Sequence, residues 1–258
     1  MGTNRLGTLP RTKTWRRVVD ALEAGAGAAQ VARESLEAAA RRLARAADDA
    51  VLAEAVRVLM LLPIAAKSDD FAGALRGVGV DAPDGPDFCD VLAAVSERLD
   101  GVTPAGRGRT DVGEMAQAAL TETLAASVGG TLKDLFDAGP EEVRRAFASQ
   151  GTVANFGALA AGFFARFTQK VLHYFLSREL PEHVGPGGRF AGVADLEAFN
   201  RDLDLHCRET AAVVERFSGE WFSRERHLRG GEIDPGRAAE FAHGAFAKLT
   251  QAMKPGAC

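Results

Sequence analysis

The chain has 258 residues, 47% of them hydrophobic and 26% charged, with a formal net charge of −4. That length can bury one large core or two small ones, and the composition is that of a globular chain rather than a disordered or fibrous one. The charge balance excludes a dedicated nucleic-acid binder, whose phosphate contacts demand clustered Lys and Arg.

Acidic and basic residues balance as far as Arg109, so the remainder carries the negative excess. One local exception is the N-terminal stretch, where Arg5, Arg11, Lys13, Arg16 and Arg17 all precede the first acid, Asp20. Such a segment is either a solvated tail or a contact for an anionic partner. Cys89, Cys207 and Cys258 form no CxxC pair and no metal-finger spacing, and no apolar signal region follows the first basic residues. Both features suit reduced thiols and a cytoplasmic location. Heavy use of Ala, Gly and Arg with little Lys suggests a bacterial source.

Strand signals are almost absent, and helical spacing runs through nearly the whole chain. The first helix starts near Thr12 or Thr14, buries Trp15, Val18, Val19 and Leu22, and breaks at Gly25 and Gly27. A second helix, 28–48, has an alanine-rich face and a charged outer face with Arg41, Arg42 and Arg45. The third, 49–66, is apolar around most of its girth and therefore central, and Pro63 is expected to kink or end it. A short helix at 69–76 precedes the loop GVGVDAPDGPD, and Pro86 is placed to open the next helix, which runs to Leu99.

The stretch DGVTPAGRGR, 100–109, is the best boundary candidate. It predicts two packed helical subdomains, 1–109 and 110–258. Thr110 or Asp111 caps a helix to Val128, residues 132–136 extend it or form a turn, and Pro140 with Glu141 and Glu142 opens another. In 152–180 the residues Phe156, Ala160, Phe163, Phe164, Phe167, Val171, Tyr174 and Phe175 make one broad aromatic stripe, while Leu172, Leu176 and Leu180 add a second apolar face. The same segment carries Arg166, Gln169, Lys170 and His173, a set rare in a bilayer-spanning helix, so no transmembrane segment is expected. After the loop ending at Phe190, a long helix, 193–226, packs through Leu196, Phe199, Leu203, Cys207, Ala211, Val214, Phe217 and Trp221. A last helix spans 234–253. The whole reads as an all-α protein of nine or ten helices.

No phosphate-binding glycine loop, nucleophile elbow, HExxH or EF-hand pattern occurs. The pairs Asp48-Asp49 and Asp69-Asp70 suit helix caps, since no second metal motif accompanies them. The better constellation lies in NRDLDLHCRET, 200–210. Asp202, His206 and Glu209 share one side of a helix, so the carboxylates favour the protonated imidazole while burial opposes it. Such a set serves as a structural ion-pair network, a general acid or base, or a site for a divalent metal ion held by His206, Asp202 and Glu209. Cys207 falls on the core stripe and reads as a small hydrophobe.

The connection FLSRELPEHVGPGGRF, 175–190, packs two long helices antiparallel and brings His173, Glu179 and His183 towards the His206 set. Pro181 stops the helix, and Gly185, Gly187 and Gly188 permit left-handed backbone and close approach. Arg178 or Arg189 can tie the loop to Glu179, Asp202 or Glu209, or the loop can cradle an anion. Near the end of the long helix, Trp221 and Phe222 neighbour Arg224 and Arg226, the composition of either an interaction surface or the end of a core helix.

These features favour a non-catalytic interaction or scaffold component of a bacterial multiprotein assembly, without a cofactor, whose partner is another protein or a second copy. The alternative is a metal-assisted, hydrolase-like enzyme with a His/carboxylate site between the two long helices, His206, Glu209, Asp202 and His173 being its catalytic candidates.

Overall fold

The structure, a computed structural model, describes residues 12–103, 110–134 and 137–252, and for Arg41, Arg42 and Arg229 the backbone alone. Arg5 and Arg11 of the basic segment, residues 104–109 of the expected boundary, Phe136 and Cys258 lie outside the described residues.

Ten α-helices are present among the described residues: α1 Lys13–Glu23, α2 Ala28–Ala46, α3 Ala50–Ala65, α4 Phe71–Gly77, α5 Phe88–Val102, α6 Asp111–Ser127, α7 Pro140–Ser149, α8 Val153–Leu176, α9 Val193–Arg229 and α10 Pro235–Ala252. The only extended pairing among those residues is one isolated bridge between Val184 and Phe190. The fold is all-α, as the periodicity predicts. The start signals act through their side chains. Thr12 Oγ1 accepts from the Trp15 amide, Thr110 Oγ1 from the Gly113 amide and Thr152 Oγ1 from the Asn155 amide. The aspartate pairs also act as caps, Asp49 on the amides of Val51 and Leu52 and Asp70 on that of Gly73.

Two start and stop signals act differently from expectation. Pro86 stands before the cap of α5 rather than in its first turn, because Asp87 and Asp90 close a reciprocal capping box on each other's amides. Helix α8 stops at Leu176, not Leu180. Its end tightens as the Glu179 amide bonds to the Leu176 carbonyl, and Leu180 then opens a separate 3₁₀ turn that contains Pro181. Pro181 therefore follows the stop rather than causing it. Pro63 sits in the last turn of α3, which ends two residues later, as expected.

Two helices form the centre. Between Val51 and Pro63 every α3 residue except Arg57 is buried, and α3 packs against α4, α5, α6, α7 and α10. Helix α8 lies between α6 and α9 and buries Phe156, Phe163, Phe164, Phe167, Val171 and Phe175. Phe156 stacks on Phe222 at 3.9 Å between ring centroids, and Phe164 meets Phe241 and Phe246. The aromatic stripe is core. One continuous cluster of buried apolar residues draws on all ten helices.

Helices α8 and α9 run antiparallel, since Gly157 lies against Glu215 while His173, four turns on, bonds to Asp204. Their backbones nearly touch at one end. A Cβ at Gly157 would stand 2.6 Å from the Glu215 carbonyl oxygen, and one at Gly219 would collide with the Val153 carbonyl. Gly219→Ala is therefore expected to force the helices apart and destabilise the fold by about 1–3 kcal/mol, the usual cost of overpacking. Gly130→Ala, where a Cβ meets open space, is the control. Denaturant midpoints of the two variants check this.

Candidate functional site

The antiparallel α8–α9 pair leaves a trough on its outer side of about 290 Å³, lined by Ala158, Ala161, Gly162, Ala165, Arg166, Gln169, Arg208, Ala212 and Glu215. Glycines at the Val153 end draw the two backbones together, and small side chains keep the trough floor low. Antiparallel pairing places Arg166 and Gln169 of α8 opposite Arg208 of α9, and Ala158 opposite Glu215. Glu215 lies two turns from Arg208, about 10 Å along the helix axis. The trough thus has a cationic end and an acidic end.

Arg166 is half-buried, and its Nη1 donates to the Gly162 carbonyl at 3.1 Å. The missing Cβ of Gly162 makes room, since an atom there would stand 3.1 Å from that nitrogen. Burial pushes the Arg166 pKa down, Glu122 pushes it up and the Arg208 charge lowers it further. Glu122 itself is bonded by Lys170 at 2.6 Å. Arg208 is exposed and makes no ion pair among the described residues. Two guanidinium groups therefore share one trough without a carboxylate bonded to either.

The residues singled out from sequence go elsewhere. His173 Nε2 lies 2.8 Å from Asp204 Oδ1, a carboxylate the sequence reading passed over. His206 lies 3.5 Å from Thr210 Oγ1 on its own helix, while Asp202 and Glu209 are exposed. Burial lowers the His206 pKa, Glu209 raises it and Arg33 on α2 lowers it, so burial prevails over the carboxylates. Helix α2 packs against α9, so of the two opposing effects read from the sequence it is burial that prevails. Glu179 and His183 approach each other at 3.9 Å within the connection. Among the described residues no three His, Cys, Asp or Glu side chains are grouped to hold a metal ion. Cys207 is buried and its thiol is pushed up to about 12 by burial, as suits a packed hydrophobe.

The connection itself is a closed loop. Gly185 and Gly187 adopt φ of +110° and +81°, the Gly185 amide bonds to the Phe190 carbonyl at 2.9 Å, and the Phe190 amide bonds to the His183 carbonyl at 3.0 Å. Buried Phe190 packs on Phe199. Arg189 does not reach Glu179, Asp202 or Glu209. It lies over the rings of Phe190 and Phe199 and donates to the Ala26 carbonyl, tying the loop to the α1–α2 turn. Arg178 lies over Tyr174, 4.9 Å from the ring centroid.

Trp221 and Phe222 are buried, so they face the core and not a partner. Arg226 donates to the Gly151 carbonyl at 2.7 Å and lies over Phe222, whereas Arg224 is exposed. In the basic N-terminal segment Arg17 bonds to Glu34 and Glu37 on α2, and Lys13 and Arg16 are exposed.

Sequence reasoning also missed two buried carboxylates. Glu54 on α3 accepts from Arg57 at 2.7 and 2.8 Å and from Arg98 on α5 at 2.7 Å. Burial alone would raise its pKa, but these bonds outweigh burial and hold it below the usual range. Glu225 accepts from Arg237, whose guanidinium also covers Trp221. The Glu54–Arg57 pair, three residues apart on an otherwise apolar helix, was the available signal.

The fold and site define an all-α bundle with an arginine-bearing trough on its two longest helices. Comparison with protein-family models, with curated proteins and with solved structures finds no match. None of the helices among the described residues is long and apolar enough to cross a membrane.

His206 sets a pH test. A folded-state pKa below the unfolded value of about 6.5 means the unfolded chain binds the proton more readily, so stability falls as pH drops through and below that value. His206→Gln is expected to flatten part of the acid-side loss between pH 7.5 and 5. Urea midpoints of the wild type and the variant at both pH values read it.

Proposed function

We propose that this chain is a non-catalytic interaction component of a larger assembly, and that it takes an anionic segment of a partner protein into the α8–α9 trough. The observation that carries this reading is the pair of guanidinium groups, Arg166 and Arg208, in a trough with a low alanine floor. Neither has a bonded carboxylate; Glu122 offsets part of the Arg166 charge, Arg208 bears on Arg166 as well, and an incoming acidic group would pair with Arg208 in particular. The low alanine floor lets a partner's backbone approach. By contrast, His173 is bonded to Asp204 within the fold, which suits a structural role for that catalytic candidate.

The test compares partners captured from source-cell extract by wild type, Arg208→Glu and Arg216→Glu. Arg216 lies on the same helix, fully on the surface in a pair with Glu220, and does not line the trough. A partner lost at least tenfold with Arg208→Glu and kept with Arg216→Glu is the expected result. Equal capture by all three overturns the reading. Elemental analysis of tag-free wild type and His206→Ala tests the rival: a stoichiometric divalent transition metal present in the first and lost in the second would put metal-assisted catalysis ahead.

A further inference from the structure

The trough is more selective than a general acidic contact requires. Two guanidinium groups lie at one end, and Gln169 adds an amide there. Arg166 is folded back over Gly162 and half-buried, so its charge is fixed in place rather than waving in solvent. A guanidinium presents a planar fork of donors that matches an oxyanion's paired oxygens. One carboxylate offers two acceptor oxygens to these three donor groups, and Glu122 already offsets part of the Arg166 charge. A phosphomonoester brings between −1.5 and −2 at neutral pH and three acceptor oxygens. The acidic end, at Glu215, repels a second anion and so fixes which way a phosphate-bearing segment lies. The floor between Ala158 and Gln169 is about 16 Å long, from the helical rise over eleven residues, which matches four or five residues of extended peptide.

We infer that the Arg166, Gln169 and Arg208 end of the trough is a phosphate-recognition site, and that its occupant is a phosphorylated serine or threonine on an extended segment of the partner protein. This rests on the interaction reading above and adds the chemistry that the partner must carry. Arginine clusters are a recurrent means of reading such modifications.

The experiment titrates full-length protein with acetyl-Ala-Ala-pSer-Ala-Ala-amide, with the Ser and Glu versions of that peptide and with inorganic phosphate, at low ionic strength, and follows binding by calorimetry. Saturable one-site binding of the phosphopeptide is expected, at least tenfold tighter than the Glu peptide or inorganic phosphate, with none for the Ser peptide. Arg208→Gln should weaken it at least tenfold and Arg216→Gln should leave it unchanged. Gly162→Ala is the second variant. It favours the helix, so the fold is kept, but its methyl would stand 3.1 Å from Arg166 Nη1 and press that nitrogen off its position, so measurably weaker binding should follow. The inference is overturned by no saturable binding, by a Glu peptide that binds as well, by inorganic phosphate that binds as tightly as the peptide, or by Arg208→Gln binding like wild type. If capture of a partner depends on Arg208 while the phosphopeptide does not bind, the phosphate chemistry fails and the interaction reading stands. If the peptide binds but capture ignores Arg208→Glu, the reverse holds.

Discussion

The rest of the structure depends on how closely α8 and α9 approach each other. Gly157 and Gly219 each present bare backbone to a carbonyl of the opposite helix, so the two axes lie nearer than alanine would allow. Glycine inside a helix costs about 0.5–1 kcal/mol relative to alanine, a penalty that is offset where the lost side chain permits tight packing. Close contact at that end brings Phe156 onto Phe222 and seats Phe217 against Gly244 of α10, whose missing side chain receives the ring. The aromatic core is therefore organised by small residues on the helices it joins.

The same approach makes the outer trough. Two helices that touch through glycine and alanine leave a groove on the side away from the core, and long side chains along its edges become its walls. Arg166 reaches this position because Gly162 leaves space one turn earlier on its own helix. At the other end of the pair the helices are linked by polar bonds instead, His173 to Asp204, and the connection is stapled down by Phe190 and Arg189. A fixed connection holds the register of α9 against α8, and the register sets which side chains face one another across the trough.

The polar residues divide by what they are bonded to. Glu54 and Glu225 are buried and each is met by arginine, an arrangement that is costly to break because a lone charge would remain in the core. Arg189 and Arg226 satisfy backbone carbonyls and cover aromatic rings. Arg166 also satisfies a backbone carbonyl, that of Gly162, but it and exposed Arg208 line a concave space with no carboxylate bonded to either. That contrast, rather than residue type, sets the two trough arginines apart from the others.

The sequence by itself determined the all-α class, the buried character of α3 and the aromatic stripe of α8, because a period of 3.6 residues is a local property that survives in any packing. It also narrowed the caps to Thr12 or Thr14 and to Thr110 or Asp111, and marked the Asp48-Asp49 pair, because cap bonds reach only three residues along the chain. It placed His206, Asp202 and Glu209 on one helical side but could not say what covers that side. Tertiary structure decided that α2 does, bringing Arg33 and burial to His206. Trp221 and Phe222 were ambiguous for the same reason, since aromatics beside arginines look alike at a surface and at the edge of a core. The trough was invisible in the sequence. Arg166 and Arg208 stand forty-two residues apart, and only antiparallel packing at glycine distance puts two distant arginines into one shared field.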